Sequence, residues 1–228
     1  MTTQGPTLKI RGLQSDKVWD YENGYHWFSG IERMGKVLNH YEIYKMATSL
    51  PGHVVECGVY KAASLIRWAT FRSLLESDHS RRIIAFDAFG KFPDEGVQDT
   101  SDASFIKRFE DAGGDGLSVS ETKGILDLKH ITNVDFEEGN VLETIPAWLE
   151  TTPEARICLL HLDMDVYEPT KAALDLLWDR IVRVGVVVID DYNAVGGATN
   201  AVDEFLQNKK IKLRKLGLSH VPCYFVKD

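Results

Sequence analysis

Five short runs, HVVEC (53–57), RIIAF (82–86), VDFE (134–137), RICLLHL (156–162) and VGVVVI (184–189), punctuate a chain that otherwise carries helical patterns. Four of them, all but VDFE, hold consecutive apolar residues. Such runs belong to strands buried on both faces, and strands separated by helices pair in parallel. Helices are predicted over 32–49, 62–77, 102–111, 143–150, 168–180 and 198–207. In the fifth of these, Ala173, Leu174, Leu177 and Trp178 fall on one face at the helical period. Two last runs, 211–216 and 220–226, flank Gly217 and predict an antiparallel hairpin. The expected fold is therefore α/β: a doubly wound, mostly parallel, Rossmann-like seven-stranded sheet ending in a C-terminal hairpin.

Charge and cysteine usage narrow the function. Lys plus Arg is 26 against 34 Asp plus Glu, a net charge of −8, which is a poor match to a nucleic-acid backbone. Cys57, Cys158 and Cys223 are far apart, with neither CxxC nor a Cys/His cluster, so they predict reduced thiols in a cytoplasmic setting. No apolar stretch approaches membrane length. Two regions break the alternation. Residues 88–101 form a long Gly/Pro-containing loop, with a second Gly-rich stretch at 113–116. Residues 19–28 gather Trp19, Tyr21, Tyr25, Trp27 and Phe28, read either as an aromatic wall over a ligand or as an arm packed on the core or a second subunit.

Ligands of doubly wound sheets bind beyond the carboxyl ends of the strands. Those ends are acidic here: Glu56 and Gly58 at the first, Asp87 at the second, Asp163 and Asp165 at the fourth, Asp190 and Asp191 at the fifth. Carboxylates gathered on one edge repel, so hydroxyls, an amine or a cation must compensate them. The small-residue turn from Glu56 to Ser64 lets a helix start approach a ligand, although Ala62 and Ala63 stand where a GxGxxG would carry glycine and no P-loop is present. An acid at the position of Asp87 suits the two hydroxyls of a ribose. Asp163, Asp190 and Asp191 form a hard-oxygen set for Mg²⁺, with helix capping as the plainer alternative. Asp165 reads as a general base beside it, or as a helix-start acid. His161 lies within its strand and predicts a supporting role.

The pattern VVECGVYKAAS, AFDAFGKFP, HLDMDVYEPT and VVVIDDYNAVGGATNAVDEF resembles the TylF-like macrocin O-methyltransferases. The resemblance extends from about residue 32 to the C-terminus. It implies a class I S-adenosylmethionine (SAM) fold over 32–228, preceded by an aromatic arm or lid at 1–31. It further implies a metal-dependent transfer of methyl to a sugar hydroxyl of a small molecule. Under it, Glu56, Gly58 and Ser64 line the methionine end of SAM, and Asp87, Ala88 and Phe89 the ribose. Gly139 and Asn140 lie near the adenine. Asp163 borders the cofactor and joins Asp190 and Asp191 on Mg²⁺, while Asp165 is the catalytic base. A homo-oligomer follows from family habit, and no nucleic-acid or membrane partner is expected. A catechol-type O-methyltransferase and a non-catalytic SAM or nucleotide-binding module are the two rival readings.

Overall fold

The computed structural model describes residues 7–93 and 100–228. A small hairpin, β1 (Lys9–Ile10) and β2 (Leu13–Gln14), leads into α1 (Val18–Phe28) and α2 (Ile31–Ala47). There follow β3 (His53–Cys57), α3 (Ala63–Leu75), β4 (Ile83–Asp87), α4 (Thr100–Gly113), α5 (Val119–Leu128) and β5 (Val134–Glu138). The second half runs α6 (Val141–Thr151), β6 (Ile157–Leu162), α7 (Tyr167–Leu177), β7 (Ile181–Ile189), α8 (Gly196–Leu206), β8 (Arg214–Lys215) and β9 (Cys223–Val226).

Seven strands make one sheet in the order β5-β4-β3-β6-β7-β9-β8. Pairing is parallel from β5 to β7, and β9 then runs antiparallel to β7 and to β8. The predicted class, strand number and terminal hairpin all hold. Period-two alternation gives the sheet two cores. Val54, Ala85 and Val188 turn to the side covered by Ile43 and Tyr44 of α2 and Leu65 and Trp68 of α3. Val55, Phe86, Leu160 and Val187 turn to the side covered by Ile145, Leu174, Leu177 and Phe205. Each fully buried side chain of this size contributes about 1.5–3 kcal/mol.

The chain winds outward from β3 through β4 to β5, then returns to place β6 on the other side of β3. That reversal opens a crevice at the carboxyl ends of β3 and β6. Gly58 makes the close approach possible: its φ is +89°, and a Cβ there would lie 1.9 Å from the Asp163 carbonyl oxygen. Gly58→Val is therefore expected to cost at least about 3 kcal/mol of stability, read from the urea midpoint.

Helix α2 is held from behind by the C-terminal hairpin. Gly35 sits against the Leu218 carbonyl, where a Cβ would come within 2.3 Å, and Asn39 Nδ2 donates to the Val221 carbonyl at 3.2 Å. The aromatic segment forms α1, none of whose residues is buried. Trp19, Trp27 and Phe28 are 73%, 69% and 82% exposed, so they do not pack on the core of this chain. The long loop predicted over 88–101 is shorter, because α4 already begins at Thr100; residues 94–99 of that prediction lie outside the described residues. Among the described residues no helix is long and apolar enough to cross a membrane.

Candidate active site

A cleft of about 440 Å³ opens at the carboxyl edge of the sheet. Of the residues expected there, Gly58, Ser64, Asp87, Ala88, Asn140, Asp163, Asp165, Asp190 and Asp191 all line it. Arg33 and Lys36 of α2, Phe92, and Phe109 and Glu110 of α4 complete the rim.

Three expected residues lie behind the cleft wall instead. Glu56 has the same parity along β3 as Val54, so its side chain is directed into the core beneath α2 and α3, where it is fully buried. There its Oε1 meets His161 Nδ1 at 2.9 Å. Phe89 is buried with its ring 5.5 Å from that of Phe136, and its backbone N–H donates to Asp87 Oδ1 at 2.6 Å. Gly139, at φ +139°, donates its N–H to the Asp87 carbonyl at 2.9 Å. The second Asp87 oxygen accepts the N–H groups of Val59 at 2.6 Å and Tyr60 at 3.0 Å. Asp87 thus ties the β3–α3 turn to the β4 loop, and both loops present small residues or backbone to the cleft.

The acids at the ends of β6 and β7 form a tight group. Asp163, Asp190 and Asp191 each offer one oxygen, all within 4.8 Å of one another. Asp165 sits in the left-handed region at φ +66° and donates its backbone N–H to Asp191 Oδ2 at 3.2 Å. That corner is tied to α8 by the Ala198 N–H, which reaches the Asp165 carbonyl at 3.1 Å.

Burial and mutual repulsion divide the protons among these acids. Burial, then the charges of Asp190 and Asp191, raises Asp163 well above the carboxylate range. Burial, then Asp165 and Asp190, does the same to Asp191. Burial, then Asp163 and Asp190, raises Asp165 to about 7. Burial also opposes ionisation of Asp190, but His161, His40 and Lys36 outweigh it and hold this carboxyl well below its usual range. Lys36 Nζ forms an ion pair with Asp190 Oδ2, and the Nε2 atoms of His40 and His161 both lie 3.7 Å from Oδ1. Burial would lower His161, yet Asp190 and Glu56 outweigh it and raise this histidine to about 10. Burial lowers His40 to about 4, leaving it neutral.

A pH effect on stability follows from Asp165. Its carboxyl moves from 3.8 in the unfolded chain to about 7 in the fold. Between those values the native state keeps a proton that the unfolded chain has lost, so ionising Asp165 removes stability as pH rises. Without added metal, the melting temperature of Asp165→Asn is expected to gain several degrees on wild type between pH 4 and pH 7. A constant difference across that range would contradict the assignment.

Lys36 and His40 are site residues that the strand-end reading does not reach. Their signal is spacing: Arg33, Lys36 and His40 recur at i, i+3 and i+7, one polar stripe on α2.

The donor set suits a hard divalent cation. Three carboxylates converge, and two of them are pushed up by burial and then by mutual repulsion, which a cation would relieve. A profile of the Macrocin-O-methyltransferase (TylF) family matches residues 15–226. The chain belongs to the macrocin O-methyltransferase family.

One protein it is similar to is the 8-demethyl-8-(2,3-dimethoxy-α-L-rhamnosyl)-tetracenomycin-C 4′-O-methyltransferase of Streptomyces olivaceus. The two are 28% identical over 197 residues, covering 82% of this chain and 69% of the relative. The demethyldecarbamoylnovobiocin O-methyltransferase of Streptomyces niveus is 27% identical over 192 residues, with 82% and 70% covered. The fold of this family member is also that of the solved O-methyltransferase NovP, with a TM-score of 0.73 at 22% identity over 85% of this chain and 79% of that one. A solved calicheamicin methyltransferase gives 0.70 at 24% identity, over 92% and 85%. The sequence resemblance and the class I methyltransferase fold thus agree, and the protein is an O-methyltransferase.

Proposed function

We propose that the enzyme transfers the methyl group of SAM to a hydroxyl of a sugar-bearing small molecule, using a divalent cation such as Mg²⁺ held by Asp163, Asp190 and Asp191. The observation that carries this reading is the convergence of those three carboxylates with Asp165 beside them in one cleft. Support for a sugar acceptor comes from the relatives, one named for a rhamnosyl-bearing tetracenomycin and another as a mycinamicin III 3″-O-methyltransferase.

Asp163, Asp190 and Asp191 would hold the cation, which when bound would lower the pKa of the acceptor hydroxyl, while bound SAM would supply the methyl group. Asp165 takes the hydroxyl proton on its carboxylate, and its burial, the main cause of its raised pKa, helps keep that carboxylate basic. Gly58 and Ser64 would admit the methionine end of SAM, Asp87 and Ala88 would meet its ribose, and Asn140 would stand on the adenine side. Glu56 acts through His161, which stands between it and Asp190 and helps hold the Asp190 carboxyl below its usual range. Phe89 and Gly139 shape the loops around Asp87. Three unpaired, buried cysteines fit the reducing cytoplasm as the enzyme's setting.

The test is methyl transfer from labelled SAM to a panel of glycosylated natural products and simple catechols, each with and without a chelator. Chelator-sensitive labelling of a glycoside is the expected result. Labelling confined to catechols would replace the sugar acceptor with a catechol, and SAM binding without transfer to any acceptor would leave a binding module.

A further inference from the structure

Lys36 is a cation placed where the site requires positive charge. Asp190 is only 5% exposed, and its two oxygens face different partners. Oδ1 faces His40 and His161 at 3.7 Å, too far for a hydrogen bond, while Oδ2 carries the Lys36 ammonium. The only Asp190 oxygen turned away from the histidines is therefore already taken. A divalent ion and an ammonium on one carboxylate oxygen repel each other strongly in a site of this burial.

The backbone beneath Lys36 has little freedom to relieve that conflict. Gly35 abuts the Leu218 carbonyl and Asn39 bonds to Val221, so α2 is held on the residues either side of Lys36. The Lys36 side chain is 24% exposed and borders the cleft. Its four-carbon stem can swing outward while the helix stays in place.

We propose that Lys36 is a tethered competitor for the divalent cation: its ammonium occupies the Asp190 oxygen when metal is absent and is displaced into the cleft when metal binds. Without metal it keeps a buried carboxylate paired and the acids assembled. With metal it becomes a free cation beside the acceptor. The inference rests on the three acids being the metal site proposed above.

Mn²⁺ binding to the full-length protein, followed by loss of the free-ion electron paramagnetic resonance signal, tests it. Lys36→Met and Lys36→Gln are expected to bind Mn²⁺ about tenfold more tightly than wild type, because a buried charge has lost its partner. Lys36→Arg, which keeps the positive charge, is expected to stay near wild type. Melting curves give a second reading: Mn²⁺ should raise the midpoint of Lys36→Gln more than that of wild type. Equal or weaker Mn²⁺ binding by both neutral variants, with wild type binding normally, would overturn the role of Lys36 and leave the metal site standing. If neither wild type nor the variants bind Mn²⁺, the metal site and the competition fall together.

Discussion

Asp165→Asn is expected to lower turnover by about 10²- to 10⁴-fold, the usual contribution of a positioned general base. The substitution isolates the proton acceptor unusually well. Asparagine has nearly the same size as aspartate and tolerates the left-handed backbone found at φ +66°. The Asp165 N–H that reaches Asp191 and the carbonyl that receives Ala198 both belong to the backbone, so they survive. Affinity for S-adenosylhomocysteine, the cofactor product, should therefore stay within about twofold of wild type, since no cofactor-facing group changes. Mn²⁺ affinity should persist as well. Undiminished single-turnover rates in this variant would remove Asp165 from proton transfer.

Asp190→Asn is expected to lower metal affinity by at least about 100-fold and to abolish chelator-sensitive turnover. Its effects spread further than those of Asp165→Asn, because Asp190 is the anion that Lys36 and His161 share. Without it, the half-buried Lys36 ammonium and the buried His161 lose a partner, and deleting one member of a buried pair costs about 3–5 kcal/mol. The variant should melt well below wild type in the absence of metal, and millimolar Mg²⁺ should not restore it. Wild-type Mn²⁺ binding by Asp190→Asn would mean that the cation rests on Asp163 and Asp191 without it.

The central strands were legible because continuous β-branched runs have few other uses, and β3 occupies the predicted interval. The acids were legible because strand ends in a doubly wound sheet converge in space. Asp163 and Asp190 are distant along the chain, yet Asp190 donates its N–H to the Leu162 carbonyl at 3.0 Å, one residue before Asp163. Helix α5 was missed, although Ser118 and Glu121 form a capping box that marks its start. Its ten residues follow a glycine-rich stretch, and the pattern was too short to stand out. Glu56 was misplaced because proximity to a strand end does not say which face a side chain takes; counting parity from Val54 does. Lys36 could not be matched to Asp190 by any local rule, because the pair spans 154 positions. A lysine on an amphipathic helix ordinarily belongs to the solvated face.

The strand order has a consequence for how such enzymes diversify. Asp163, Asp165, Asp190 and Asp191 hang from the rigid centre of the sheet, at the tips of neighbouring strands β6 and β7. The opposing rim is cut from α4 and the residues after β4, elements with no share in those strands. Under the proposed function, reaction and selection are thus housed in separable parts of one molecule. Grafting a foreign α4 rim should redirect which molecule is accepted, while the proton-handling apparatus keeps its original tuning.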